Sequence, residues 1–430
     1  MPNPLVATLT SLRGNPRACV YTEPLWGLSL NLCLPYASVY MLALGLGDSQ
    51  IGLVASIGML AQVGAGLLGG VITDKLGRRR STAIFDTLAW STPCVIWFAA
   101  SFVDPKVVFW VFIGASIFNS AQLISQNAWD CLMVEDAERE QIPRIYSLMM
   151  VAGNLSALFA PISAALVVHY SLVTAMRILY INAAVVMLAK IIWLYLWSHE
   201  TETGLVRMSQ TKGVGIWQLV SEYRGVLGII RRSPGTIFAL VIAALFGAVN
   251  SVNSTFWQVV VNRKLLVPAG LLPYFPMARS LLAILFFFTV IHKVTGSSHF
   301  KVPLLCGFGA YLVGQVVIST LPAEAGGAGL TTYLMLGVSV VFDSFGVSML
   351  AMLAEALMAL AVDKQERSRV MAVQRTVVML SIAPFGWVAG LLSDVDRSLP
   401  FIMTSALLVI GLAATQWRFR RASSNSLITG

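Results

Sequence analysis

Gly70-Val71-Ile72-Thr73-Asp74-Lys75-Leu76-Gly77-Arg78-Arg79-Arg80 joins two long apolar runs and carries five charges in its last seven residues. Charge this dense cannot lie in hydrocarbon, so the stretch is a tight connection at a membrane surface. Its Lys/Arg excess puts that surface on the cytoplasmic side. The runs on either side are each long enough to cross a bilayer as a helix, which takes roughly 20 apolar residues.

The whole chain has the same character. Of its 430 residues, 57% are hydrophobic and 11% charged, where a soluble domain carries about 25% charged residues. Its mean hydropathy is +0.77. The net charge of +9 does not mark a nucleic-acid binder, because the basic residues fall in short loops and form no basic face or tail. Cys19, Cys33, Cys94, Cys131 and Cys306 are scattered, odd in number and without a C-x-x-C pair, which favours small buried hydrophobes over a disulfide framework or a metal site. Residues 1–20 lack the basic start, apolar core and small-residue cleavage site of a secretory signal, so the first span is expected to be retained.

Twelve apolar runs are long enough to span, at about 22–46, 50–73, 82–101, 107–132, 144–169, 173–197, 235–262, 273–291, 302–320, 330–361, 370–393 and 400–417. Each must be a helix, since a helix satisfies its own backbone hydrogen bonds in lipid; the alternating ten-residue segments of a barrel are missing. Most of the 29 lysines and arginines fall at alternate loops, starting with Arg13 and Arg17 and ending with Arg418, Arg420 and Arg421. That bias makes both termini cytoplasmic in the cell (inner) membrane.

The longest loop follows the sixth run and divides the chain into residues 1–199, a linker 200–234 and residues 235–430. From Ile216 to Ile230 the linker reads as an amphipathic helix on the inner membrane surface, with Trp217, Val220, Val226, Leu227 and Ile230 on its apolar face. The two halves look like repeats. Val71-Ile72 to Gly77 is matched by Val290-Ile291 to Gly296 with most charges lost, and Ala160-Pro161 by Ala383-Pro384. Such a duplication suits two bundles related by an axis along the membrane normal. No G-x-x-x-x-G-K-[ST] phosphate loop occurs, which disfavours a nucleotide-driven pump.

The spacing G-x-x-x-D-[RK]-x-G-R-[RK] resembles the signature loop between helices 2 and 3 of the major facilitator superfamily of transporters. Gly70, Asp74, Lys75, Gly77, Arg78 and Arg79 fill every defined position. The resemblance implies an all-α membrane protein of twelve transmembrane helices in two pseudo-symmetric six-helix bundles, working by alternating access. It also implies that helices 1, 4, 7 and 10 line a central cavity, and that Asp74 stabilises the outward-open state against helix 11. Helix 5 carries Ser156-x-x-x-Ala160-Pro161-x-x-Ala164-Ala165, a degenerate form of the G-x-x-x-G-P-x-x-G-G pattern of family exporters; small residues still permit close helix packing. The Arg that family exporters carry in helix 4 is replaced here by Asn and Gln.

The residues themselves offer polar stripes in those spans. Asn119, Gln122 and Gln126 fall at i, i+3, i+7, and Asn250, Asn253, Ser254 and Trp257 repeat the spacing with Gln258 beside them. Ser339 and Asp343 are i, i+4, while Trp26, Asn31, Tyr36 and Tyr40 are less regular. Interhelical hydrogen bonding is the alternative reading of any one amide. Asp343 falls near the middle of its run, where a carboxylate is costly and functional by default; it is read as a site for a proton or a substrate cation, with an ion pair to Arg279 and a simple hydrogen-bonded acid as the alternatives. Asp86, Asp130, Glu355 and Arg375 fall near cytoplasmic span ends. Asp74 with its basic neighbours, Asp130 and the Glu138–Arg144 loop are read as an inner gate, mirrored by Glu355 and Arg375. Lys190 is expected to snorkel, and His169, His199, His292 and His299 to be solvated.

These readings converge on a secondary transporter of a small organic solute, with a proton as coupling ion and the lipid bilayer as its setting. A monomer without cofactor, metal or nucleic acid is expected. Export of a drug or other amphiphile is slightly favoured by an apolar, aromatic and Met-rich interior. Uptake of a sugar or other polar metabolite is the alternative, and a sensor or scaffold with the same fold is a third reading. No nucleophile–base pair or metal-ligand cluster at membrane depth suggests an enzyme.

Overall fold

The computed structural model describes residues 9–138, 141–215, 233–287, 289, 300–322, 327–360 and 367–428. Twelve of its helices are long and apolar enough to cross a membrane. The chain divides into two compact units, Met1–Leu46 with Ile57–Arg224, and Gly47–Ser56 with Gly225–Gly430.

In the first unit the spans are Gly14–Ala43, Asp48–Leu76 (from Ile57 onward), Arg78–Phe102, Pro105–Val134, Arg144–His169 and Leu172–Trp197. The first begins earlier than its apolar run. Asn15 explains why: its amide donates to Asp136 (2.7 Å) and to the His199 carbonyl (3.0 Å) and accepts from the His199 N–H (2.9 Å). These bonds tie down a first turn too polar to show as membrane-spanning. Helix breaks follow local chemistry. Pro35 sits in the 3-10 turn Leu34–Tyr36, and Pro161 follows the 3-10 turn Ser156–Phe159. Gly77 turns the chain between the second and third spans at φ 85°, a conformation that suits a residue without Cβ. The third span contains a π turn, Thr87–Ser91, a feature often found at functional sites. The amide of Asn119, at the end of the first half of the fourth span, donates to the Ala89 carbonyl inside that turn at 2.8 Å.

In the second unit the spans are Pro234–Arg263, Ala269–Phe286, Lys301–Thr320, Leu330–Met358, Val373–Val395 and Leu399–Arg420. The seventh is capped by Ser233, which accepts from the Thr236 N–H. A core of Ile242, Val249, Leu304, Phe308, Tyr311, Met349, Leu350, Leu353 and Leu408 binds the seventh, ninth, tenth and twelfth spans. In lipid such helices associate through packing and small residues at the seams. Gly52 is one: a Cβ there would meet the Gly386 carbonyl at 2.2 Å.

The amphipathic segment 216–230, Arg231 and Arg232, the repeat at Val290 to Gly296, His292, His299, and the loop from Asp363 to Glu366 lie outside the described residues.

Candidate functional site

Asp343 lies thirteen residues into the tenth span, about 20 Å along the helix axis at 1.5 Å per residue, and is 1% exposed. Its Oδ2 is 3.1 Å from Arg279 Nη2 of the eighth span. Its Oδ1 accepts from Gln315 Nε2 of the ninth at 3.0 Å, and Gln315 Oε1 accepts from Thr404 of the twelfth at 2.9 Å. Gly314 makes room for the carboxylate: a Cβ there would stand 2.2 Å from Asp343 Oδ1. Ser339, one turn before Asp343, donates to the Gly314 carbonyl (3.0 Å) and locks the ninth and tenth spans in register.

Arg279 also lies over the Trp257 ring, with Cζ 4.3 Å from its centroid, and Phe275 meets that ring edge-on at 5.0 Å. Asn253 donates to the Tyr311 hydroxyl at 3.0 Å. Around this cluster Asn253 Oδ1, Trp257 Nε1, Gln258 Oε1 and Arg279 Nε are buried without a hydrogen-bond partner among the described residues. Buried polar groups are nearly always paired, so the cluster offers unfilled donors and acceptors beside an aromatic face and an ion pair.

The sequence stripes divide. On the seventh span Asn253 and Trp257 are buried in the unit, whereas Asn250 and Ser254 are exposed. On the fourth span Gln126 is exposed, Gln122 donates weakly to Asn119 at 3.5 Å, and Asn119 serves the π turn. On the first span Asn31 donates to the Gly153 carbonyl at 3.2 Å, while Tyr36 and Tyr40 are fully buried. Gln315, Tyr311 and Thr404 were not singled out in the sequence, since one amide or hydroxyl in an apolar run carries no pattern.

At the signature loop, the Arg78 guanidinium is almost wholly buried between Asp74 (2.9 Å) and Glu135 (3.1 Å). Thr201 donates to Glu135 Oε2 at 2.5 Å, an oxygen that also accepts from Arg78 Nε at 3.1 Å. Glu200 caps the third span from outside it, accepting from the Arg78 and Arg79 backbone N–H groups at 2.7 and 3.1 Å. Lys75 reaches the Val214 carbonyl at 2.5 Å, and Thr211 donates to the Asp74 carbonyl at 3.2 Å. Arg79 donates to the Tyr195 carbonyl and covers its ring. Gly70 lies in the penultimate turn of the second span. The short helix Glu202–Gln210 and its flanks are thus fastened to this loop. The acids that meet Arg78 are Asp74 and Glu135. Glu355 and Arg375 pair at 3.6 Å with both side chains more than half exposed, a contact worth under about 1 kcal/mol.

Lys190 corrects an expectation. It does not snorkel: it is 3% exposed and its ammonium is 3.1 Å from Asp86 Oδ2 of the third span. The third-span carboxylate lies close enough to hold the charge inside the unit, and a buried pair cannot release one partner without stranding the other.

A family model described as Major Facilitator Superfamily matches residues 26–322. No curated protein sequence matches. Among solved structures, the chain is similar to the nucleoside transporter NupG at 14% identity and a TM-score of 0.70, covering 94% of this chain and 99% of that one. It is similar to the peptide transporter POT in complex with sulfate at 17% identity and 0.67, covering 97% and 98%. A partially occluded inward-open xylose transporter XylE from E. coli scores 0.67 at 14% identity, covering 94% and 97%. At these identities the likeness is one of fold.

Proposed function

Because this chain belongs to the major facilitator superfamily of secondary transporters, we propose that it couples movement of an amphiphilic small organic molecule to protons, in the direction of export. The single observation that carries the reading is the buried Asp343–Arg279 pair at mid-span. An intramembrane carboxylate is costly to keep and is functional by default. Proton uptake by Asp343 frees Arg279, whose remaining contact is the Trp257 ring. The unfilled donors and acceptors on Asn253, Trp257, Gln258 and Arg279, beside Trp257 and Phe275, suit a solute with both polar groups and an aromatic or apolar face. Export draws support from the fifth span. Its small residue Ser156 fits against Gly27 of the first so closely that a Cβ at Gly27 would overlap the hydroxyl at 2.1 Å.

A second reading, uptake of a polar metabolite such as a sugar, draws on the exposed Gln126, Asn250 and Ser254. In either direction the signature-loop cluster around Arg78 acts as the inner gate, transport runs by alternating access, and the protein works as a monomer in the cell membrane with both termini inside. The solved structures of similar fold are transporters of nucleosides, peptides and xylose.

The test is a melting-temperature screen of purified protein against metabolites, sugars and lipophilic cations at mildly acidic and neutral pH. A ligand that binds only the folded state raises stability by RT ln(1 + [L]/Kd), so hits need no assumption about direction. Stabilisation by amphiphiles, with a pH dependence lost in Asp343→Asn, supports the proposal. Stabilisation by polar solutes alone supports the second reading. Asp74→Asn that folds normally yet keeps full flux would remove the gate.

A further inference from the structure

Arg279 is the member of the mid-span pair that a solute meets first. Its side chain is 25% exposed against 1% for Asp343, and it overlies the Trp257 ring. The short connection 264–268 joins the seventh and eighth spans. Counted from the span ends it links, Trp257 lies six residues in and Arg279 ten, about 9 and 15 Å at 1.5 Å per residue. The hairpin thus stacks a guanidinium on an indole within the spanning part of the unit. Each of the two groups keeps one N–H without an acceptor among the described residues. Arg279 gives Nη2 to Asp343 while its Nε stays buried and unpaired. Trp257 is 1% exposed, and its Nε1 is buried and unpaired as well.

An unpaired N–H in an apolar interior is destabilising, and phenylalanine would pack against Phe275 and Arg279 without carrying one. An indole at position 257 therefore points to an acceptor that arrives with a ligand. Charge decides which kind. A cationic solute would lie against the guanidinium before it reached the sealed carboxylate. A phosphate monoester, with a charge of about −1.5 to −2 at neutral pH, would exceed the one positive charge on offer. A carboxylate balances that charge one for one, and its two oxygens match two N–H donors. Asn253 Oδ1 and Gln258 Oε1, on the same span as Trp257, are buried acceptors without a donor. They call for a hydroxyl or N–H elsewhere on the solute.

We propose that the solute is a monocarboxylic acid, its carboxylate held by Arg279 and the Trp257 indole N–H and its own hydroxyl or N–H by Asn253 and Gln258. This rests on the reading above, in which Asp343 releases Arg279 on taking up a proton. The carboxylate of the solute then replaces that of Asp343 on the guanidinium, and the proton stays on Asp343. Anion and proton share one occupied state, so they move in the same direction and carry no net charge across. Outward movement is driven by the gradient of the acid itself.

The test is thermal unfolding of the purified full-length protein with matched probes: benzoate, 3-phenylpropionate and 3-phenyllactate, each beside its amide, with benzylammonium and phenyl phosphate for the other charges. The acids are expected to raise the melting temperature of the wild type at concentrations where the amides, benzylammonium and phenyl phosphate do not. Trp257→Phe keeps the ring and loses the N–H, and should weaken acid binding about tenfold or more. Arg279→Gln alone strands Asp343, so the cation is removed in the double variant Arg279→Gln/Asp343→Asn and compared with Asp343→Asn. Asp343→Asn should bind the acids, and the double variant should not. No stabilisation by any acid, equal stabilisation by the amides or by benzylammonium, or undiminished acid binding in the double variant overturns the proposal. Acid binding by Asp343→Asn that keeps the wild-type pH dependence would contradict the proton reading of Asp343 while supporting the carboxylate site, so the two failures read apart.

Discussion

Removing one partner of the Asp343–Arg279 pair should cost very different amounts depending on which partner goes. The two side chains are 1% and 25% exposed. Arg279→Gln leaves a buried carboxylate without its cation, held by neutral donors such as Gln315. Breaking a buried pair in this way costs about 3–5 kcal/mol. Asp343→Asn keeps the shape and an acceptor for Gln315, and it leaves a guanidinium that is a quarter open to water. That guanidinium also keeps the Trp257 ring, a contact worth about 0.5–2 kcal/mol. The loss in Asp343→Asn should be about 1.5–3 kcal/mol, the range for a hydrogen bond to a charged group. The double variant should be less destabilised than Arg279→Gln alone, because the stranded charge is gone. Unfolding by sodium dodecyl sulfate in mixed micelles measures all three at neutral pH. Equal costs, or a costlier Asp343→Asn, would refute the claim that the carboxylate is the sealed member of the pair.

Other contacts make their own predictions. Glu200→Gln should weaken the cap on the third span by about 1 kcal/mol and raise amide hydrogen exchange at Arg78 and Arg79, whose N–H groups it holds; unchanged exchange would mean the cap is unimportant. Gly52→Val should lower the melting temperature markedly, because its side chain must displace the Gly386 backbone, whereas Gly45→Ala meets no neighbouring atom there and should cost only its backbone strain at φ 96°. Asp396 accepts from the Ser398 N–H at 2.6 Å, and this bond holds its carboxyl below the usual carboxylate range. Its contribution is complete above the ordinary carboxylate pKa of about 3.9 and fades as pH falls through the lower folded value, so the melting difference between wild type and Asp396→Asn should shrink on strong acidification.

The spans were legible because each is a run of apolar residues that only a helix can carry through lipid, and the signature loop because six spaced positions fix it. Span ends were less so. The polar first turn at Asn15 is helical only because Asp136 and His199, far along the chain, bond to it. Helical spacing placed Asn250, Asn253, Ser254 and Trp257 on one broad face, but which edge of that face packs inward depends on neighbours that local sequence does not specify. The same holds for Lys190: whether a lysine snorkels or pairs is decided by Asp86, 104 residues away. The ion pair between Arg279 and Asp343 is one of the readings the sequence offers, because opposite charges inside two apolar runs of the same half have few other places to go.

The central claim is that Asp343 carries the coupling proton. Proteoliposomes loaded with a pH-sensitive dye test it directly, using a solute chosen by thermal stabilisation of the protein. Adding that solute should drive proton movement through the wild type. Asp343→Asn should bind the same solute, by the same thermal shift, and move no protons with it. Proton movement at the wild-type rate through Asp343→Asn would contradict the claim.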